Sequence, residues 1–193
     1  MKKLAHSLTW ALLSPFFLSS CGSSGLEVVG AETKGMKKLS RGEAKRFSKG
    51  RGSSSPQMEA TIQKIVNDSR VSKGKDRMEH HKGLAKLARK HSMKLMLNYS
   101  KTGVPVINHS GFSGRFNTIS LDYSLSKAGE NVAYHSKYNG SAGSVVSSWA
   151  KSPSHYKNLY GKWNRTGVGV AIAPNGMIFA TQLYGLKTDF TFD

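Results

Sequence analysis

The sequence predicts an α+β domain in which helices pack in layers against an antiparallel sheet. Apolar residues recur at helical spacing in several segments in the first half of the folded part. Near the carboxyl end they alternate instead, over Gly167–Ala173 and Met177–Tyr184, and the turn Pro174-Asn175-Gly176 separates these two runs. Helices that come first, with strands between and after them, indicate this layered fold class.

Two long helices are predicted at the start of the domain. The first begins just after Pro56 and ends around Ser72–Gly74. The second covers about Lys82–Tyr99. Their apolar stripes consist of Met58, Ile62, Ile65 and Val66 in the first helix, and of Leu84, Leu87, Ala88, His91, Leu95 and Met96 in the second.

Three histidines accompany the second helix. His91 lies on its apolar stripe, which predicts a core residue whose ring nitrogens bond to backbone or to a nearby hydroxyl; a ligand role is the alternative. His80 and His81 precede the helix in a charged segment without an evident partner, so both are expected to be exposed.

Shorter elements follow. Phe112–Tyr123 predicts a short helix, Ala128–Tyr134 a strand and Ala142–Ala150 another helix. A final helical turn is expected to start with Ser152 as its N-cap and Pro153 as its first residue.

Candidate chemistry is concentrated in Gly129–Asn158. Glu130 lies among apolar residues of the predicted strand, and His155 follows the Ser-Pro helix start. His109 comes earlier, in a loop where a following Ser-Gly makes it accessible and able to present a ring nitrogen to a cleft. The sequence contains no evident Ser-His-Asp or Cys-His arrangement for nucleophilic catalysis.

The amino-terminal segment has the features of an export signal. Lys2 and Lys3 precede the apolar run Leu4–Phe17, which is short for a membrane span. Leu18-Ser19-Ser20-Cys21 then resembles the lipobox of bacterial lipoproteins, in which the cysteine becomes the acylated N-terminus. The predicted protein is therefore extracytoplasmic and bound to a membrane through a lipid on Cys21; an ordinary cleaved signal is the alternative.

The chain is predicted to divide into three parts: a signal over residues 1–21, a tether over 22–56 and a folded domain over 57–193. The tether is rich in Gly, Ser, Lys and Arg and has few large apolar residues, which favours a flexible spacer with an optional short helix over Gly42–Lys49.

A formal net charge of +18 over 193 residues favours anionic partners. Behind an export signal these are an anionic envelope polymer or lipid head groups. No arginine-rich helix or aromatic stacking motif is evident in the sequence, so a nucleic-acid partner is not expected.

In this order, the motifs resemble the CAP superfamily (cysteine-rich secretory proteins, antigen 5 and pathogenesis-related 1 proteins, also called SCP-like domains), in its bacterial branch. The resemblance covers about Met58 to Gly185. It is carried by Ile65-Val66-Asn67, Arg70, Leu87-Ala88-Arg89-Lys90-His91-Ser92, His109, Arg115, Gly129-Glu130-Asn131-Val132-Ala133, Trp149, Ser152-Pro153-Ser154-His155, Asn158, Gly167-Val168-Gly169-Val170 and Thr181-Gln182-Leu183-Tyr184-Gly185.

The resemblance implies a three-layer α-β-α sandwich with a central antiparallel sheet and a large cleft. In much of the family this cleft carries two His and two Glu and can hold a divalent metal. His109 and Glu130 match the first pair, whereas Ser152 and Phe179 stand where the second Glu and the second His would be. His155 is the histidine typical of bacterial members and is expected in the same cleft.

Several roles remain open for this cluster. His109, Glu130 and His155 could form a zinc site with an open position, or a metal-free acid/base cluster. Alternatively, Glu130 caps backbone amides and the histidines bond around it. Supporting roles are expected for Asn131, Ser152 and Asn158.

Three functions compete. The first is a surface-tethered, non-enzymatic protein whose cleft binds a small apolar ligand, a lipid or an envelope component, with a divalent metal such as zinc as an optional cofactor. The second is a metal-dependent hydrolase acting on peptide or cell-wall material. The third is an adhesin-like binder of anionic polymer that acts through its basic tether.

Overall fold

The computed structural model of the 193-residue chain describes residues 53–136 and 141–188. The predicted signal, Cys21 and the tether up to residue 52 lie outside the described residues. The elements are β1 (Ser53–Ser54), α1 (Pro56–Ser72), β2 (Glu79–His80), α2 (Lys82–Thr102), α3 (Phe112–Leu121), β3 (Lys127–His135), α4 (Ala142–Lys151), α5 (Pro153–Leu159), β4 (Arg165–Ile172) and β5 (Ile178–Leu186).

The described residues form one sheet with the strand order β1-β4-β5-β3, and β2 also pairs with β4. The central long strand β5 is antiparallel to both of its neighbours, β3 and β4, as predicted; its Tyr184 lies opposite Gly129 of β3 and opposite Thr166 of β4. β2 is a two-residue parallel addition that the sequence did not predict. β1 also pairs with β4, so the sheet includes two residues that the sequence assigned to the tether.

Helices cover both faces of this sheet, which confirms the α-β-α sandwich. On one face, α1, α4 and α5 contribute Ile62, Val145 and Leu159 to a core that also contains Val168 and Val170 of β4. On the other face lie α2 and α3, with two further clusters. Their members are Leu95, Met96, Tyr99, Ile107, Val132, Tyr134, Ala171, Ala173, Met177 and Phe179 in one, and Leu84, Ala88, Ile119, Leu125 and Leu183 in the other.

The alternation Gly167-Val168-Gly169-Val170 explains how closely α2 packs on the sheet. Side chains of a strand point to alternate faces, so the two valines enter one core and the two glycines face α2. A Cβ added at Gly167 would lie 2.1 Å from the backbone nitrogen of Ala85, and one at Gly169 would lie 2.1 Å from that of Arg89. Only glycine permits this helix–strand approach.

The helix α2 begins at Lys82 as predicted, but its carboxyl end lies beyond the predicted Tyr99. The helix continues to Thr102 and is closed by Gly103 in the left-handed region, at φ 74°. His81 is its N-cap and accepts a hydrogen bond from the backbone N–H of Leu84 at 3.2 Å. The prediction that His81 is exposed is wrong, because its half-buried ring packs 5.0 Å from the ring of Tyr123. His80 is exposed, as predicted.

An ion pair with a buried carboxylate joins both helical layers to β4. Glu59 of α1 accepts from Arg89 of α2 at 2.6–2.9 Å and from the backbone N–H of Val170 at 3.1 Å. The Glu59 side chain is 6% exposed and that of Arg89 is 43% exposed. The carboxylate of Glu59 therefore links α1 to α2 and to β4.

None of the described helices combines the length and the apolar character that crossing a bilayer requires.

Candidate functional site

Glu130 is the centre of the candidate site, and its carboxylate is held by Arg115. Glu130 lies in β3 with its side chain 2% exposed, and Arg115 projects from α3 with 11% exposed. The Nε atom of Arg115 donates to Oε2 at 2.7 Å and its Nη2 donates to Oε1 at 2.8 Å. This is a bidentate, nearly dry ion pair, the strongest geometry available to these two groups.

His109 binds the same carboxylate. Its Nδ1 lies 2.8 Å from Oε1 of Glu130 while 45% of its side chain is exposed. An ionised carboxylate only accepts, so Nδ1 carries the hydrogen and Nε2 is left as the ring nitrogen for water or a ligand. The predicted accessibility of His109 is confirmed.

A compact loop holds His109 and Arg115 in place. The side chain of Asn108 accepts from the N–H of Ser110 at 3.0 Å, and Gly111 adopts φ 78° as the N-cap of α3. The Nη1 of Arg115 donates to the carbonyl of Ser110 at 3.0 Å. The guanidinium thus fixes the loop and the carboxylate together.

A second imidazole lies behind the carboxylate. His91 of α2 is buried, and its Nε2 is 2.9 Å from the carbonyl of Asn108 and 3.9 Å from Oε1 of Glu130. The prediction of a core histidine is confirmed, and Nε2 has the expected backbone partner, whereas the buried Nδ1 has no hydrogen-bond partner among the described residues. Burial lowers the pKa of His91, and this outweighs the attraction of Glu130, so the ring is neutral near pH 7.

The charge state of Glu130 follows from competing effects. Burial alone raises the pKa of its carboxyl, but the hydrogen bonds from His109 and Arg115 outweigh burial and hold the pKa below its usual value. The carboxylate is therefore ionised at neutral pH. The sequence also offered a cap of backbone amides by Glu130; the bonds found for this carboxylate go to the side chains of Arg115 and His109 instead.

A network of amides binds β3 to α5. Asn131 donates to the carbonyl of His155 at 3.1 Å and to the hydroxyl of Tyr184 at 3.0 Å. Asn158 donates to the backbone carbonyl of Glu130 at 3.1 Å and to the side chain of Asn131 at 2.9 Å. The two asparagines therefore position the strand and the helix that carry the candidate residues.

His155 approaches from α5, in the opposite helical layer. It is 5% exposed, and its ring centroid lies 6.4 Å from that of His109. The two rings meet beside β3, which is the last strand in the sheet order. Ser152 occupies the N-cap of α5 as predicted, although its hydroxyl makes no capping bond and lies 3.2 Å from the hydroxyl of Ser154.

The residues at this site do not fit a divalent metal. Both oxygens of Glu130 are bonded, and a metal ion would have to displace the guanidinium cation of Arg115. Phe179, at one of the two departing family positions, is 0% exposed in the core, with ring centroids of Tyr99 and Tyr134 at 5.6 and 6.4 Å. Over residues 53–136 and 141–188, no three His, Cys, Asp or Glu side chains are placed to hold an ion.

Arg115 belongs to the motifs of the sequence, but no role is predicted for it there. The need for a cation could be inferred, because a lone carboxylate in an apolar strand requires one once it is buried. The residue that supplies this cation could not be inferred, since the pairing spans 15 residues and depends on how α3 lies against β3.

The profile of the "cysteine-rich secretory protein family" (CAP) matches residues 63–184. The fold is similar to an outer surface protein from Borrelia burgdorferi, with a TM-score of 0.59 and 19% identity over 71% of this chain and 99% of that one. It is also similar to an extracellular protein containing an SCP domain from Bacillus anthracis, with a TM-score of 0.53, 20% identity and coverage of 68% and 41%.

A third similar structure is a cysteine-rich secretory protein from Staphylococcus aureus, with a TM-score of 0.51, 15% identity and coverage of 68% and 39%. The chain thus spans well under half the length of the Bacillus and Staphylococcus proteins. At these identities the likeness establishes the fold. No curated protein sequence matches the chain.

Proposed function

Because the chain belongs to the cysteine-rich secretory protein (CAP) family, we propose that it is an extracytoplasmic, lipid-anchored binding protein. Its cleft at His109, Glu130 and His155 takes a small apolar ligand, a lipid or an envelope component, without catalysis. The observation that carries this proposal is the bidentate bond from Arg115 to Glu130.

That bond argues against Glu130 as the general base or the metal ligand of a hydrolase. A general base needs a free lone pair directed at the reacting group, and a metal ligand needs one directed at the ion. Three of the roughly four lone-pair sites of this carboxylate accept hydrogen bonds from Arg115 and His109, and its side chain is only 2% exposed, so it is not directed at an open site. Glu130 instead fixes the orientation of His109, whose half-exposed ring offers one nitrogen to a ligand.

The anchored, extracytoplasmic location is supported by the sequence. Lys2, Lys3 and the apolar run Leu4–Phe17 precede Cys21, in the order of a lipoprotein signal. Two of the proteins with a similar fold are an outer surface protein and an extracellular protein, which agrees with such a location.

A metal-free acid/base enzyme is the second candidate, favoured by the contact between His109 and Glu130. A carboxylate on Nδ1 orients an imidazole and fixes its tautomer, as in catalytic triads. Among the described residues, the side-chain hydrogen bond found for His109 goes to Glu130, and none joins its ring to a serine, threonine or cysteine. A metal-dependent hydrolase, the alternative from the sequence, has no support in the geometry of Glu130.

The proposed function is tested by identifying what the full chain carries. Lipids and small molecules that co-purify with the detergent-extracted protein would be compared by mass spectrometry with those from His109→Ala. A defined molecule that is present in the wild type and depleted in the variant supports the cleft as a binding site. Identical extracts, together with hydrolysis of a peptide or cell-wall substrate by the wild type alone, would contradict it.

A further inference from the structure

The outward face of α2 carries a row of unpaired positive charge. Lys82, Lys86, Lys90 and Lys94 recur every four residues, which places successive side chains side by side along one face, and Lys101 follows two turns later. We call these five residues the lysine row. The helix sequence KGLAKLARKHSMKLMLNYSKT contains no Asp or Glu, so like charges stand next to one another without an intervening acid.

Neighbouring elements do not neutralise the row. Among the ion pairs of the described residues, none involves a lysine of this row. The nearby Arg89 is the cation of α2 that has a partner, Glu59. Adjacent like charges on a helix repel one another. An anion bound along the lysine row would relieve this repulsion, so the row is a candidate surface for an anionic partner.

The carboxyl-terminal half of the row lines a groove of about 670 Å³. Lys90, Lys94 and Lys101 form its charged rim, and the half-buried side chains of Met93 and Leu97 lie between them.

The far wall of this groove is the loop that carries His109. Asn108 and Ser110 line this wall with polar groups, and they are the two neighbours of His109 in the chain. The groove therefore runs beside the candidate site but is formed by different side chains.

We propose that this groove binds a linear anionic polymer of the cell envelope, one whose phosphate or carboxylate groups repeat along the chain. Four residues of helix advance by about 6 Å, so the lysine row offers a regular series of cations to such a chain. Met93 and Leu97 contact the uncharged part of each repeating unit, and Asn98 and Asn108 supply hydrogen bonds.

The shape and lining of the groove favour a polymer over the other anions available. A flat bilayer cannot follow a concave surface, and Met93 and Leu97 lie half-buried within the groove. Single-stranded nucleic acid is bound on aromatic side chains, and the residues that line this groove include none.

The inference rests on the extracytoplasmic location in the proposed function, and it assigns the envelope component to a site separate from the cleft. It also differs from an adhesin that acts through the basic tether, because the binding groups belong to the folded domain.

The test uses the full chain in two charge-matched variants. One carries Lys90→Gln, Lys94→Gln and Lys101→Gln; the control carries Lys151→Gln, Lys157→Gln and Lys162→Gln on the opposite helical layer and its following loop. All six lysines are exposed and both variants lose the same charge, so both are expected to fold. Binding to fluorescent poly(glycerol phosphate) and to polygalacturonate is measured at several salt concentrations, with neutral dextran as the blank.

The wild type is expected to bind at least one of the two anionic polymers, with an affinity that falls steeply with salt. The groove variant should bind at least about tenfold more weakly, and its slope of log K against log salt should be smaller by about 2, because three contacts to the anion are lost. The control variant should bind like the wild type.

Equal weakening in both variants or unchanged binding in the groove variant would overturn the inference. So would a wild type that binds neither polymer, whether or not it binds phosphatidylglycerol vesicles. Loss of polymer binding in His109→Ala but not in the groove variant would also overturn it, while leaving the proposed binding function of the cleft intact.

Discussion

The guanidinium of Arg115 holds both carboxylate oxygens of Glu130, at 2.7 and 2.8 Å, across the contact between α3 and β3. The same carboxylate orients His109 through a 2.8 Å bond to Nδ1. One buried ion pair thus joins the framework of the domain to the half-exposed imidazole that we assign to binding.

Removing the cation should be costly. Arg115→Ala leaves Glu130 buried without its charge partner, and such changes destabilise a protein by about 3–5 kcal/mol. Urea unfolding followed by circular dichroism should show this loss. The double variant Arg115→Met with Glu130→Gln should recover a large part of it, because no unpaired charge remains.

Arg77→Ala is the matched control for that experiment. Arg77 pairs with Asp68 on the surface, with side chains 57% and 42% exposed, and solvent screens such a pair. Its unfolding curve should stay close to that of the wild type. A similar loss in Arg77→Ala and Arg115→Ala would contradict the special role of the buried pair.

Stability should depend on pH in two steps. Burial lowers the pKa of His91 and of His135, so below about pH 6.5 the unfolded chain binds protons that the folded chain does not. The free energy of unfolding should therefore begin to fall as the pH drops below about 6.5. Glu130 has a folded pKa below its usual value of 4.5, so its contribution is present above that pH and is lost only in stronger acid.

The first of these two steps can be assigned with a variant. His91→Gln keeps a polar side chain but cannot titrate, so the decline between about pH 6.5 and about pH 5 should become shallower than in the wild type. Denaturant midpoints across this range would measure it. A wild-type stability that rises as the pH falls through this range would refute the assignment.

The glycines of β4 give a test of the fold. Gly169→Ala would place a Cβ 2.1 Å from the backbone nitrogen of Arg89, which forces α2 away from the sheet. Overpacking of this kind costs typically about 1–3 kcal/mol, and contact with backbone rather than with a side chain places it at the upper end. Thermal unfolding should show a clear fall in Tm.

Gly114→Ala is the control for this substitution. Gly114 lies in α3 with no atom within 4 Å of the added Cβ, so the change should be neutral or stabilising by up to about 1 kcal/mol through helix propensity. Equal effects of the two alanines would show that α2 does not pack this closely on β4.

The tautomer of His109 is a spectroscopic prediction. When neutral, its ring should carry the hydrogen on Nδ1, because Glu130 can only accept. The two ring nitrogens are distinguished by ¹⁵N chemical shifts. Glu130→Leu with Arg115→Met removes the acceptor and should return the ring to the Nε2–H form that prevails in water, whereas an Nε2–H tautomer in the wild type would contradict the contact.

Much of the fold was predictable because its signals are local. The hairpin of β4 and β5 follows from alternation around Pro174-Asn175-Gly176, and α1 follows from an apolar stripe that starts after Pro56. β2 was missed because two residues carry no period, and its pairing with β4 joins residues far apart in the chain. The sequence does not reveal the packing of His81, because its ring partner Tyr123 lies about forty residues further along the chain.

The sequence predicts which residues form the candidate site, but not how they are bonded to one another. Glu130 and His109 were identified, and the structure places them in contact. Sequence patterns could not show that Arg115 would reach both oxygens, since this depends on the angle of α3 against β3. The metal site remained an option in the sequence for that reason, and the guanidinium removes its main ligand.

The central claim is that Glu130 serves a metal-free binding site, and a zinc titration by calorimetry tests it most directly. We predict the same weak heats of zinc addition for three proteins: the wild type, His109→Ala, and the double variant Glu130→Gln with Arg115→Met. Zinc binding by the wild type at one ion per chain that is abolished in both variants would contradict the claim.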